Sequence, residues 1–175
     1  MTLSGVSGYT GATDVNAGSL TLSGTLASTA LTVANGATLN ALSGSALAAT
    51  TTLTAEGLVN LFNSGVTLQT LLGAGIVNLD TTALTLSNGT FSGALNGSGS
   101  LVKTTGGLLT LSGSNAYSGS TSVNAGTLTL SGTLASTALT VANGATLNAQ
   151  SGSALPVATV LTADGLVNLA NAAVT

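Results

Sequence analysis

The sequence has no cysteine, histidine, tryptophan or arginine among its 175 residues, and only 3% of them are charged. Each absence closes off some chemistry. Without cysteine there is no disulfide and no thiolate metal site, and without histidine the commonest metal ligand and general base is gone. Lys103 is the single basic side chain. Nucleic-acid binding needs several lysines or arginines to replace phosphate counterions, so no nucleic-acid partner is expected. The carboxylates are Asp14, Glu56, Asp80 and Asp164, scattered along the chain. Acid–base catalysis needs a positioned group of tunable pKa, and a glycosidase needs two close carboxylates. Serine and threonine abound, but no histidine is there to activate one. The expectation is a protein without catalytic residues, metal or cofactor, and not an enzyme. Glu56 and Asp164, each between Ala and Gly, read as solvated turn carboxylates.

Long apolar runs are missing too, although the mean hydropathy is +0.61. A membrane-spanning helix needs about 20 mostly apolar residues. Here Ser, Thr, Asn or Gly interrupts every apolar run within a few residues. A transmembrane barrel carries aromatic girdles, whereas Tyr9, Phe62, Phe91 and Tyr117 are all the aromatics present. No membrane-spanning segment is expected. Disordered chains combine few apolar residues with high charge. This one is 44% hydrophobic, so it has a core to bury.

What the sequence does have is a tandem repeat. Residues 3–67 realign on 111–175 with a shift of 108, and 16 of the 65 aligned positions differ. Leu20 through Ala41 match Leu128 through Ala149 without a change. The chain reads as one domain over 1–175, with a repeat unit at about 3–110 and a partial second unit at 111–175. Both ends fall inside a repeat, which suggests a piece of a longer array with an added start Met.

Within the repeat, apolar residues alternate with polar ones, as in Leu20-Thr21-Leu22, Leu31-Thr32-Val33 and Leu128-Thr129-Leu130. A period of two is the strand period, and β-branched Thr and Val suit a pleated surface. Gly18, Gly24, Asn35-Gly36, Asn88-Gly89 and Asn143-Gly144 punctuate the strands as sharp corners. Asn-Gly is also a hairpin signal, so a meander or sandwich stays open on local grounds. The long repeat favours a solenoid of roughly five coils per unit, each of 20-odd residues. Residues 54–62 and 68–72 are less regular; Gly57 and Gly73 argue against helix there, and both segments read as strands.

Residues 97–130 carry a more specific pattern. It runs through Gly99-Ser100-Leu101-Val102-Lys103, then Leu109-Thr110-Leu111-Ser112-Gly113, then Asn115-Ala116-Tyr117-Ser118-Gly119, and ends in Thr121-Ser122-Val123-Asn124-Ala125-Gly126-Thr127-Leu128. This resembles the passenger-associated transport repeat of bacterial autotransporters. Residues 3–22 repeat its second half, with Tyr9, Gly11, Val15 and Gly18. The resemblance implies an all-β, right-handed parallel β-helix, elongated and built from the 108-residue repeat. It also implies a passenger exported to the surface or exterior of a Gram-negative bacterium, with a motif that is structural and not catalytic. Lys103 reads as a solvated lysine at a coil edge. Tyr9 and Tyr117 read as corner residues offering their hydroxyls to the backbone.

The functional expectation is a structural or adhesive surface protein, a rigid stalk or fibre segment that associates with itself end to end. The alternative is a module that binds ice, a glycan, or a host or cell-surface protein through outward threonines. Thr21, Thr32 and Thr38, with their repeat partners Thr129, Thr140 and Thr146, are the candidate array.

Overall fold

The computed structural model describes residues 1–42, 46–62, 65–150, 155–156 and 158–170. Among them every element is a strand, and every recorded strand pair is parallel. A hairpin or meander would pair its neighbours antiparallel. The strands instead stack into a β-solenoid of about 8 turns. The two irregular segments are strands as well: Thr52–Ala55, Leu58–Leu61 and Gly65–Gly73.

Each coil crosses three faces in order. The first face stacks Thr2–Leu3, Ser19–Leu22, Thr38–Ala41, Leu58–Leu61, Ile76–Asn78, Ala94–Asn96, Ser114–Asn115 and Thr133–Leu134. The second face includes Ser100–Lys103, Thr121–Val123, Ala138–Val141 and Val160–Ala163. The third includes Thr13–Val15, Ala30–Val33, Thr52–Ala55, Leu108–Leu111, Thr127–Leu130, Thr146–Ala149 and Leu166–Leu169. Gly65–Gly73 and Ala83–Phe91 are long strands that run from the second face onto the third. The Asn88-Gly89 corner expected from sequence therefore lies inside a strand.

The alternation puts Leu and Val into the solenoid and Thr, Ser and Asn outside. On the third face Leu31, Leu53 and Leu71 stack in register, as do Leu109, Leu128 and Leu147. All six are fully buried. Volume is traded between coils. Phe91 fits in the interior because Gly73 lies beneath it in the same inward row. Close-packed interiors require this complementarity of size.

The coil and the repeat are out of step. Register gives coils as short as 17 residues, from Leu84 to Leu101, and as long as 22, from Leu31 to Leu53. Leu20 starts an inward row that passes through Leu39, Val59, Val77, Leu95 and Asn115, five coils in all. Leu128, its repeat partner, lies two faces further on, on the third face. One repeat therefore spans about five and two-thirds coils. Identical sequence consequently occupies different faces in the two copies: Ser19–Leu22 is on the first face and Thr127–Leu130 on the third. Likewise Ala30–Val33 is on the third face and Ala138–Val141 on the second.

Corners decide how closely coils approach. Where the third face turns onto the first, Gly57, Gly75, Gly93, Gly113 and Gly132 form a column. A Cβ on Gly93 would meet the Gly75 carbonyl oxygen at 1.9 Å, and one on Gly113 would meet that of Gly93 at the same distance. The Gly75 carbonyl also accepts the Ala94 N–H at 3.0 Å, so it cannot move aside without breaking the ladder. Gly106 has nothing within 4 Å of its would-be Cβ. Gly93→Ala is therefore expected to cost at least about 2 kcal/mol, while Gly106→Ala stays within about 0.5 kcal/mol. Denaturation midpoints of the two variants check this, and equal midpoints would refute close packing at the corner.

Candidate functional site

Outward side chains are what a partner meets, and on the third face they form two columns. In register, one column runs Asp14, Thr32, Thr54, Leu72, Thr90, Thr110, Thr129, Asn148 and Asn168. The other holds Ala30, Thr52, Thr70 and Asn88, and then Leu108, Thr127, Thr146 and Leu166. Successive rungs of a sheet are about 4.7–4.9 Å apart, and residues two apart in a strand are about 6.6 Å apart. The face thus carries a regular lattice rich in threonine, with asparagine and leucine among its rungs, and Asp14 at its first coil is the only ionisable side chain in either column. Thr70 Oγ1 donates to Asn88 Oδ1 at 2.8 Å, so neighbouring rungs hold one another's rotamers.

The first face carries an amide ladder. Asn60 Nδ2 donates to Asn40 Oδ1 at 2.8 Å, Asn78 Nδ2 to Asn60 Oδ1 at 2.7 Å, and Asn96 Nδ2 to Asn78 Oδ1 at 3.5 Å. The second copy repeats the start of this ladder, with Asn168 Nδ2 donating to Asn148 Oδ1 at 2.7 Å, but on the third face. In-register amides of this kind stabilise stacked parallel strands.

The six threonines singled out from sequence are spread over all three faces. Thr21 and Thr38 are on the first face, in different columns. Thr32, Thr129 and Thr146 are on the third, and Thr140 is on the second. Repeat partners never share a face. In their column Thr32 neighbours Thr54 and Thr129 neighbours Thr110, residues which the repeat alone does not connect to them.

Lys103 overturns its sequence reading. It occupies an inward position, in register with Leu86 and Val123, and is fully buried. Its ammonium donates to the carbonyls of Thr104 at 2.7 Å, Thr105 at 2.8 Å and Ala125 at 3.2 Å. Three donors meet three acceptors, which is what makes a buried ammonium tolerable. The bonds tie the turn after the second face, where Thr105 has φ 63°, to the coil above. Tyr117 is also fully buried, and its hydroxyl meets Thr121 Oγ1 at 2.6 Å, not the backbone. The equivalent Tyr9 bonds Thr13 in the same way but is exposed on the first coil. Asn115 faces inward as well; its Nδ2 donates to the carbonyls of Gly113 and Thr133, and its Oδ1 has no partner. Buried polar groups thus underlie the motif. Glu56 and Asp164 are exposed, and Glu56 Oε2 accepts the Ala74 N–H at 3.2 Å. Among the described residues no three His, Cys, Asp or Glu side chains are grouped to hold a metal, and no helix is long and apolar enough to cross a membrane.

Residues 1–22 and 101–130 match the passenger-associated-transport-repeat family. The matched stretches contain both tyrosine–threonine pairs and Lys103. No curated protein and no solved structure matches the chain.

Burial holds the Tyr117 hydroxyl well above the ordinary 10.0, with the Thr121 hydrogen bond pulling weakly the other way, and burial lowers Lys103 from 10.5. Above pH 10.0 the unfolded chain ionises this tyrosine and the folded chain does not. Stability therefore falls as pH rises there, by up to about 1.4 kcal/mol per pH unit. Lys103 acts with the opposite sign: between its lowered value and 10.5 the unfolded chain holds the proton more tightly, so stability rises with pH and then levels off. Tyr117→Phe is expected to cost about 1 kcal/mol at neutral pH. Its deficit against the parent protein should shrink above pH 10.0, as read from denaturant midpoints on both sides of that value.

Proposed function

We propose that this chain, whose two passenger-associated transport repeats and parallel β-solenoid fit an autotransporter passenger, is a non-catalytic structural segment: a rigid stalk or self-assembling fibre piece at the surface or exterior of a Gram-negative bacterium. The placement of exposed apolar side chains carries the reading. Met1, Val6 and Tyr9 are on the first coil, and Val160, Leu161, Leu166 and Leu169 on the last described strands. Outward leucines such as Leu108 are exposed in interior coils too, and the contrast lies at the inward positions. Leu161 is 38% exposed while its repeat partner Leu53 is 0%, and Leu169 is 40% exposed while Leu61 is 0%. Among the described residues the outermost strands are paired on one side only, and strand edges of that kind pair readily with another strand. The two ends are different surfaces, so the contact is heterologous and propagates into a filament.

The third face supports a second reading, a binding module. Its two threonine-rich columns, with Asp14 their single ionisable side chain, form a regular array for an ordered, neutral partner such as ice or a glycan.

Light scattering should show mass rising with concentration, and electron microscopy should show filaments one solenoid wide. Val160→Lys with Leu166→Lys should return the chain to monomer. A parent protein that stays monomeric at high concentration sinks the fibre reading. Thermal-hysteresis and glycan-array assays check the second reading, which Thr54→Lys with Thr129→Lys should abolish.

A further inference from the structure

We propose that Asn35 and Asn143 are sites of spontaneous covalent modification, at which each asparagine closes on the following glycine and is converted by water to aspartate and isoaspartate. Four asparagines precede a glycine: Asn35, Asn88, Asn96 and Asn143. Glycine has no side chain to hinder attack by its own nitrogen, so the four are alike in local chemistry. The fold divides them into two classes.

Asn35-Gly36 and Asn143-Gly144 are the middle residues of exposed turns. In the first, the Ala37 N–H donates to the Ala34 carbonyl at 2.9 Å; in the second, the Ala145 N–H donates to the Ala142 carbonyl at 3.0 Å. Gly36 and Gly144 both have φ 79°, and nothing lies within 4 Å of either would-be Cβ. A positive φ at the third residue makes these type II turns. Among the described residues, neither the Asn35–Gly36 peptide nor the Asn143–Gly144 peptide makes a main-chain hydrogen bond. Each can rotate and bring its nitrogen to the asparagine Cγ without breaking the stack. Asn88-Gly89 is the opposite case. Gly89 is buried within a sheet, between Leu71 and Leu109, and Asn88 Oδ1 accepts from Thr70 Oγ1 at 2.8 Å. The Asn96 carbonyl accepts the Leu79 N–H at 2.8 Å, and its amide is a rung of the first-face ladder. At these two sites a coil contact must open first, and local opening costs free energy before any bond is made.

The reaction balances with water as the only co-reactant. Solvent base takes the Gly36 N–H proton, the nitrogen bonds to Asn35 Cγ, and the Cγ–Nδ2 bond breaks as ammonia leaves with a proton from solvent. Water then opens the succinimide at one of its two carbonyls. One opening gives aspartate, and the other gives isoaspartate with an extra methylene in the main chain. Asn35 and Glu56 line one groove at this corner, so either product puts a second carboxylate there. The turn is also closely fitted. A Cβ on Gly57 in the next coil would meet the Ala34 oxygen at 2.3 Å and the Ala37 oxygen at 2.4 Å, and one on Gly165 would meet those of Ala142 and Ala145 at 2.3 and 2.5 Å. A lengthened main chain disturbs that fit. The first turn joins the third face to the first, and the second joins the second face to the third. The reactivity therefore belongs to the turn and not to one face.

The purified protein is held at mildly alkaline pH and sampled by peptide mapping, with fragmentation that separates isoaspartate from aspartate. Asn35 and Asn143 should both convert to a mixture of the two products, at least about tenfold faster than Asn88 and Asn96. In denaturant the four rates should converge. Asn35→Gln, whose longer side chain closes a ring poorly, should abolish reaction at that turn and leave the rate at Asn143 unchanged. The proposal is overturned if folded Asn88 or Asn96 reacts as fast as Asn35, if Asn35 is inert in the folded chain while reacting in the unfolded one, or if aspartate forms without isoaspartate.

Discussion

Everything in this molecule depends on parallel hydrogen bonding between successive coils. A strand in the solenoid satisfies almost none of its main-chain groups within its own coil; the coil before and the coil after supply the partners. Buried backbone groups must be paired, so each coil has to lie flat and in register on the one below. With few charges and no disulfide available, backbone pairing and apolar burial are the terms left to oppose chain entropy. The glycine column at one corner follows from this, because a single methyl there would hold two coils apart. Gly73 beneath Phe91 shows the same requirement in the core.

The stacking also explains the chemistry that is present. The motif's lysine, tyrosine, asparagine and threonine are polar groups inside an apolar column, each needing a partner to be tolerated. Lys103 finds three carbonyls, and Tyr117 finds Thr121. Lys103 stabilises the irregular turn at Thr104–Gly107, where the coil above departs from the straight path of Ala83–Phe91. A role of that kind suits a structural repeat. On the outside the same register turns isolated threonines and asparagines into columns, and columns are what an extended partner would meet.

Stacking leaves the outermost described strands paired on one side only. In a quasi-one-dimensional protein each coil contacts only its neighbours. The outermost strands therefore keep the interior's composition without its cover. This is why Leu161 and Leu53, alike in sequence and strand, differ so much in exposure.

Much of this was legible in the sequence. The period-two alternation determined strands, the 108-residue repeat favoured a solenoid over a sandwich, and the Gly-x-Leu-x-Lys and Asn-x-Tyr-Ser-Gly elements pointed to the passenger repeat. Alternation is local, and each strand reports it independently. The sequence did not determine which way Lys103 points. A charge reads as exposed unless three carbonyls distant in sequence or turn geometry converge on it, and only the fold brings Ala125 to Lys103. Nor did it determine the columns. A face is set by how many residues each coil consumes, and coils of 17 to 22 residues do not divide the repeat evenly. The sequence by itself determined that Leu20–Ala41 and Leu128–Ala149 are the same strands and turns. Only the tertiary structure decided that they lie on different faces, because the phase of a coil is a sum over all the corners before it.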